Sequence, residues 1–243
     1  MYYGSRTPTD AVGVATPPSP AAATRTKTGT LARDVPLEQG PLSTLRCAVH
    51  QSARANVAPN SARRQLIGVS GTNGIISNEL LHAIRRQYRL PWRGIHGVTH
   101  WARVLENGLR LAAHTHARIE VVSLFAVFHD SRRVNEHHDP RHGRRGAELA
   151  ESLRGTLFEL SDQDFSLLKQ ACDLHTDGLT AGDVTVQTCW DADRLDLGRV
   201  GTTPDPRYLC TIAAKDKQTI DWAYERSVRF HVPEIVSVVW DAR

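Results

Sequence analysis

Between residues 75 and 90 the apolar side chains Ile76, Leu80 and Ile84 recur every fourth position, and Pro91 ends the run. This spacing puts them on one face of a helix. A second helix is predicted over 97–116, with Trp101, Val104, Leu105 and Leu109 on one side. Residues 119–130 are apolar nearly all round, the pattern of a helix buried on every face. Further helices are predicted at about 142–154, 162–176, 183–199 and 214–230, the second of these opening at an N-terminal cap, Ser161-Asp162-Gln163-Asp164. Few segments alternate with period two. The run Ile235-Val236-Ser237-Val238-Val239-Trp240 is the one strand-like stretch. With no internal repeat, the pattern predicts one all-α domain over residues 63–243.

Residues 1–62 read differently. Seven of the chain's 12 prolines fall before residue 60, and no aromatic follows Tyr3 there. A basic segment rich in Pro, Ala and Thr cannot bury enough apolar surface to offset its chain entropy, so a disordered tail is predicted. Its acid-poor, Ser/Thr-rich character also fits a transit peptide, and a start near residue 60 would remove it altogether. The glycines of Gly68-Val69-Ser70-Gly71-Thr72-Asn73-Gly74 lack the Lys-Ser/Thr of a phosphate loop, so a linker is the better reading.

Charge and composition narrow the class. Residues 1–95 hold 12 Lys and Arg against 4 Asp and Glu, whereas 96–243 hold 18 against 22. The basic excess thus lies largely on the unpatterned arm and not on a folded face, which argues against nucleic-acid binding. The longest apolar stretch, Val121 to Phe128, is too short to span a bilayer. No secretory pattern opens the chain, so a cytoplasmic protein without membrane contact is expected. Cys47, Cys172, Cys189 and Cys210 are widely spaced and read as reduced thiols.

Histidine is where the chemistry gathers. Nine of 12 lie between His82 and His142, and imidazole is the commonest metal ligand and acid–base group near neutral pH. At the centre, the apolar run to Phe128 leads directly into His129-Asp130. A carboxylate there loses solvation and sits at the negative end of a helix dipole, so it needs a cationic partner. A divalent metal is the strongest such partner. A solvent-exposed pair at a helix end is the alternative. Other histidines and acids follow the same order along the chain: His96 and His100 upstream, His142 and His175 downstream, then Asp191-Ala192-Asp193-Arg194-Leu195-Asp196.

The ordered set of His100-x-x-Arg103-Val104, His129-Asp130 and Asp191-Ala192-Asp193-Arg194-Leu195-Asp196 resembles the HD-domain superfamily of metal-dependent phosphohydrolases over roughly residues 92–200. The resemblance implies a helical bundle in which His100, His129, Asp130 and Asp193 bind one divalent metal. His100 is chosen over His96 because x-x-Arg-Val follows it, and Asp193 over Asp191 because a basic-Leu pair follows it. Some members carry two further histidines and a second metal bridged by the Asp. His142 and His175 occupy those places, either as ligands or as substrate contacts. The Glu-Asp that guanosine-polyphosphate hydrolases carry beyond the His-Asp pair is replaced by Arg133-Val134, which argues against that activity.

Mixed His and carboxylate ligands suit Mn, Fe, Co, Ni or Zn better than Mg. The expected chemistry is hydrolysis of a small phosphorylated molecule, such as a nucleotide, with Asp130 as the catalytic group. Arg133, Arg144 and Arg145, with Arg132 beside them, are the expected phosphate contacts. Glu136, Asp139 and Asp177 are candidates for assisting water activation. Two other readings stand beside this one: a noncatalytic ligand-sensing or interaction module of the same fold, and an HD-type di-iron oxygenase requiring His142 and His175 as ligands.

Overall fold

Helix α3 (Ile119–Phe128) organises the molecule, because Val121 to Phe128 are all buried and every face needs a neighbour. In the computed structural model, which describes residues 74–241, those neighbours are four other helices. They are α2 (Val98–Thr115), α4 (His142–Leu153), α5 (Asp162–Leu174) and α6 (Val184–Arg194). Helix α1 (Asn78–Arg85) precedes them, and α7 (Ile212–Lys215) and α8 (Lys217–Val228) follow. The described residues contain no strand, so the domain is all-α. None of their helices is long and apolar enough to cross a membrane. The expected tail, residues 1–62, the expected domain start at 63 and nearly all of the glycine-rich linker lie outside the described residues.

Local signals start the helices where side chains can satisfy free N–H groups. Ser77 accepts from Leu80 N at 3.1 Å, Ser161 from Asp164 N at 3.1 Å and Asp183 from Thr185 N at 2.7 Å. Two glycines let α4 sit close to its neighbours. A Cβ on Gly143 would overlap the Cys172 carbonyl oxygen of α5, and one on Gly146 would overlap the Phe128 carbonyl oxygen of α3. This close approach fixes the ends of three helices around one point.

Three expected elements differ. The predicted helix 183–199 breaks after Arg194 into a 3-10 turn, Leu197–Val200, and the break swings Asp196 under α2, where its carboxylate is bound. The predicted helix 214–230 becomes α7 and α8, because Asp216 adopts extended backbone and caps α8 by accepting from Thr219 N at 2.9 Å. The strand-like segment 235–240 is a π-helical turn, Val236–Trp240. A strand needs a partner to satisfy its backbone, and none is present among the described residues. The turn instead buries Val236 and Trp240 against α1 and α2 and leaves Val238 exposed. Asp241 then ties the end down by accepting from Arg85 and Arg93.

Candidate metal centre

Four buried imidazoles converge beside the C-terminal end of α3, and their tautomers follow from their outer hydrogen bonds. His129 Nδ1 donates to the Phe125 and Ala126 carbonyls at 3.1 and 3.2 Å. His100 Nδ1 donates to Asp196 Oδ2 at 2.7 Å, His142 Nδ1 to the Asp139 carbonyl at 2.6 Å, and His175 Nδ1 to the Cys172 carbonyl at 2.7 Å. Carbonyls and carboxylates only accept, so the Nδ1 atoms carry the protons. In the neutral rings every Nε2 lone pair therefore faces inward.

These lone pairs meet in two groups. His100 Nε2 lies 3.1 Å from His129 Nε2, and His142 Nε2 lies 2.9 Å from His175 Nε2. Asp130 stands between the groups. Its Oδ2 is 3.6 Å from His100 Nε2 and 3.8 Å from His129 Nε2, while its Oδ1 is 3.0 Å from His142 Nε2 and 3.8 Å from His175 Nε2. Asp193 Oδ1 closes the first group at 3.4 Å from His100 and 3.7 Å from His129. That oxygen is buried without a hydrogen-bond partner, and two facing lone pairs leave neutral imidazoles nothing to share. A cation resolves both deficits. Two nitrogens each about 2.1 Å from one ion at a right angle are about 3 Å apart, the spacing seen here. The two groups, His100–His129–Asp130 and Asp130–His142–His175, are therefore each composed and spaced to hold a metal ion.

Electrostatics favour neutral rings at His100 and His129 and ionised carboxyls at Asp130 and Asp193. Burial lowers His129 to about 4 and takes His100 well below its ordinary value, the Arg199 charge helping at His100. Burial pushes Asp130 up, but the adjacent His129 and the His142, His175 and His96 rings around it outweigh that and hold the carboxyl well below the usual range. Burial likewise opposes the charge on Asp193, and His129, Arg199 and His100 overcome it. At His175 burial acts downward, yet the carboxylates of Asp130 and Asp193 raise the group on balance.

Spacing in the sequence acquires a structural reason here. His100 and Arg103 lie three residues apart on α2 and reach the same acid. Arg103 Nε and Nη2 donate to Asp196 at 2.6 and 3.0 Å, while His100 takes the remaining direction on Oδ2. Asp193 and Asp196 are also three apart, so one turn presents one acid to the imidazole Nε2 atoms and the other to His100 Nδ1. Asp191, the rejected alternative, accepts from Cys210 N, Thr211 N and Thr211 Oγ1 and holds the chain before α7.

The arginines are sorted differently from expectation. Arg133 belongs to the site, with Nη1 3.4 Å from Asp130 Oδ1 and 3.2 Å from His142 Nε2. Arg144 does not. It is exposed on α4 and pairs with Glu148 one turn on, because its position turns it away from α3. Arg145 is engaged elsewhere: Nη2 holds both oxygens of Asp139 at 2.7 Å, and Nε donates to the Arg132 carbonyl. Asp139 is thereby a loop anchor, and Asp177 is exposed.

Two contributors escaped the sequence reading. Arg199, on the 3-10 turn, places Nη2 3.8 Å from Asp193 Oδ1. Its only signal was its position three residues past Asp196. His96, weighed only as an alternative to His100, sends Nδ1 to within 2.8 Å of Asp130 Oδ2, and its Nε2 is 3.8 Å from Glu136 Oε2, a buried oxygen without a partner.

The cluster and the all-α architecture define a helical protein with a buried His/Asp centre suited to metal. Comparison with protein-family models, with curated proteins and with solved structures found no match to this chain.

Proposed function

We propose that the domain is a metal-dependent phosphohydrolase of the HD-domain type, acting on a small phosphorylated molecule such as a nucleotide. The carrying observation is the sharing of Asp130, one carboxylate oxygen to each pair of inward-facing imidazoles. His100, His129, Asp130 and Asp193 would hold one ion, and Asp130, His142 and His175 a second. Ligands of this type favour Mn, Fe, Co, Ni or Zn. Bound there, a divalent ion lowers the pKa of water and neutralises phosphoryl oxygens.

The protein's own groups supply the rest. Arg133 and Arg199 each bring a guanidinium beside a carboxylate of the centre, where the planar fork can bind phosphoryl oxygens. Glu136, with its unpartnered oxygen near His96, is the acid placed to accept a proton at the edge of the site. The outer hydrogen bonds on all four histidines hold the rings in one tautomer and orientation.

The test is release of phosphate from a panel of phosphomonoesters and nucleotides by protein reconstituted with Mn2+, Co2+, Ni2+ or Zn2+, beside Asp130→Ala. Activity that needs metal and is abolished in the variant supports the proposal; activity unchanged in the variant refutes it. The His142–His175 pair also favours a second reading, a di-iron oxygenase, since that chemistry needs both groups of ligands. Dioxygen consumption with a visible iron absorbance, and no phosphate release, would favour it. A noncatalytic module has no chemical need for this complete donor set.

A further inference from the structure

Arg89, Arg132 and Arg145, which lie outside the metal centre, gather with Arg133 around a second space. A cavity of about 100 Å3 is lined by Gln87, Arg89, Arg132, Arg133, Val134 and Arg145. At about 30 Å3 per water it has room for roughly three waters or one compact oxyanion. Four of its six lining residues carry guanidinium groups, and none carries a carboxylate. Two of the four are neutralised: Arg145 by Asp139, and Arg133 in part by Asp130. Arg89 and Arg132 have no carboxylate partner among the described residues, and the one side-chain bond there is Arg132 Nη1 to Gln87 Oε1 at 2.9 Å. Like charges brought around a small, partly open cavity repel unless an anion joins them, and a guanidinium fork matches the oxygens of phosphate.

We propose that this cavity is a binding site for a phosphate-sized oxyanion, separate from the metal centre and joined to it through Arg133. Arg89 and Arg132 supply the uncompensated charge, and Arg145 and Gln87 complete the wall. The oxyanion is either a distal phosphoryl group of the substrate or free phosphate. Binding of free phosphate is independent of the proposed hydrolysis, whereas binding of a distal phosphoryl group rests on it.

Binding of inorganic phosphate to metal-stripped protein, freed of chelator by dialysis, tests the site without any contribution from the centre. The wild type is expected to bind one phosphate per chain saturably, and Arg89→Gln/Arg132→Gln to bind it roughly 10–100-fold more weakly. Both positions are at least partly exposed, and an unchanged melting curve and metal content for the variant would show that the fold and centre persist. No saturable binding by the wild type, or equal binding by the variant, overturns the proposal.

With metal restored, the two sources separate. If the site takes the substrate's distal group, the double variant raises KM for a bisphosphate and leaves that for p-nitrophenyl phosphate unchanged. If it takes free phosphate, added phosphate alters p-nitrophenyl phosphate turnover in the wild type in a way the variant loses. A protein without phosphatase activity that still binds phosphate through these arginines would sink the hydrolase reading and keep this one.

Discussion

Replacing Arg103 by Met would strip the support from beneath the metal centre. Arg103 is 2% exposed and Asp196 is 1% exposed. The pair is held by two hydrogen bonds at 2.6 and 3.0 Å, and Arg103 Nη1 also donates to the His231 carbonyl at 3.0 Å. Without the guanidinium, Asp196 keeps only His100 Nδ1 at 2.7 Å and a distant Arg199 Nη1 at 3.9 Å. Breaking a buried pair by removing one partner costs about 3–5 kcal/mol, because a desolvated charge is left uncompensated. For a domain of this size about 1 kcal/mol moves the midpoint by 2–4 °C, so a fall of about 6–20 °C is expected. Replacing both partners, Arg103→Met with Asp196→Leu, removes the stranded charge and should recover much of that loss. It should not recover the centre. His100 loses the acceptor that fixes its tautomer, and metal affinity should fall by about 10–100-fold. Thermal melts of metal-free protein, with metal titrations of the folded variants, measure both effects. A single variant melting within about 2 °C of wild type, or a double variant no more stable than the single, would refute the buried-charge argument.

Other substitutions probe the packing and the loop that frame the centre. Gly143→Ala places a methyl group against the Cys172 carbonyl; this should destabilise the domain by about 1–3 kcal/mol or more, seen as a lower denaturant midpoint. Asp139 is lowered from its ordinary value: burial opposes its charge, but the Val134 N–H and Arg145 prevail. A depressed folded pKa means that the stabilisation is fully present above the unfolded value of about 3.9 and disappears as pH falls through the folded one. The stability gap between wild type and Asp139→Asn should therefore be constant from neutral pH to about 5 and close below about 4, measured on metal-free protein. A gap independent of pH would contradict the charge-based role.

Much of the helical framework was legible because burial leaves a local trace. The all-round apolar run before His129, the four-residue recurrence of Ile76, Leu80 and Ile84, and the Ser161 cap each act within one or two turns. The histidines and acids that the fold brings together were legible by type and order. What could not be read were relations between distant segments. Asp196 meets His100 across 96 residues and Arg103 across 93, and no periodicity encodes that. The segment Ile235–Trp240 has strand-like composition, but the absence of a partner strand among the described residues turns it helical, which only the assembled fold decides. Arg133, Arg144 and Arg145 look equivalent in the sequence, yet one reaches Asp130, one faces solvent and one anchors a loop. Their helical phase and the path of residues 131–141 set those fates.

Metal content per chain, measured by elemental mass spectrometry on protein purified without a histidine tag, decides whether the buried His/Asp cluster is a metal centre. Near-stoichiometric Mn, Fe, Co, Ni or Zn is expected, up to two ions per chain, and lost in Asp130→Ala, because Asp130 serves both donor groups. His142→Ala and His175→Ala should lower the ratio while the His100–His129 group keeps its ion. A protein that is metal-free as purified and takes up neither Mn2+ nor Ni2+ when they are added would contradict the account.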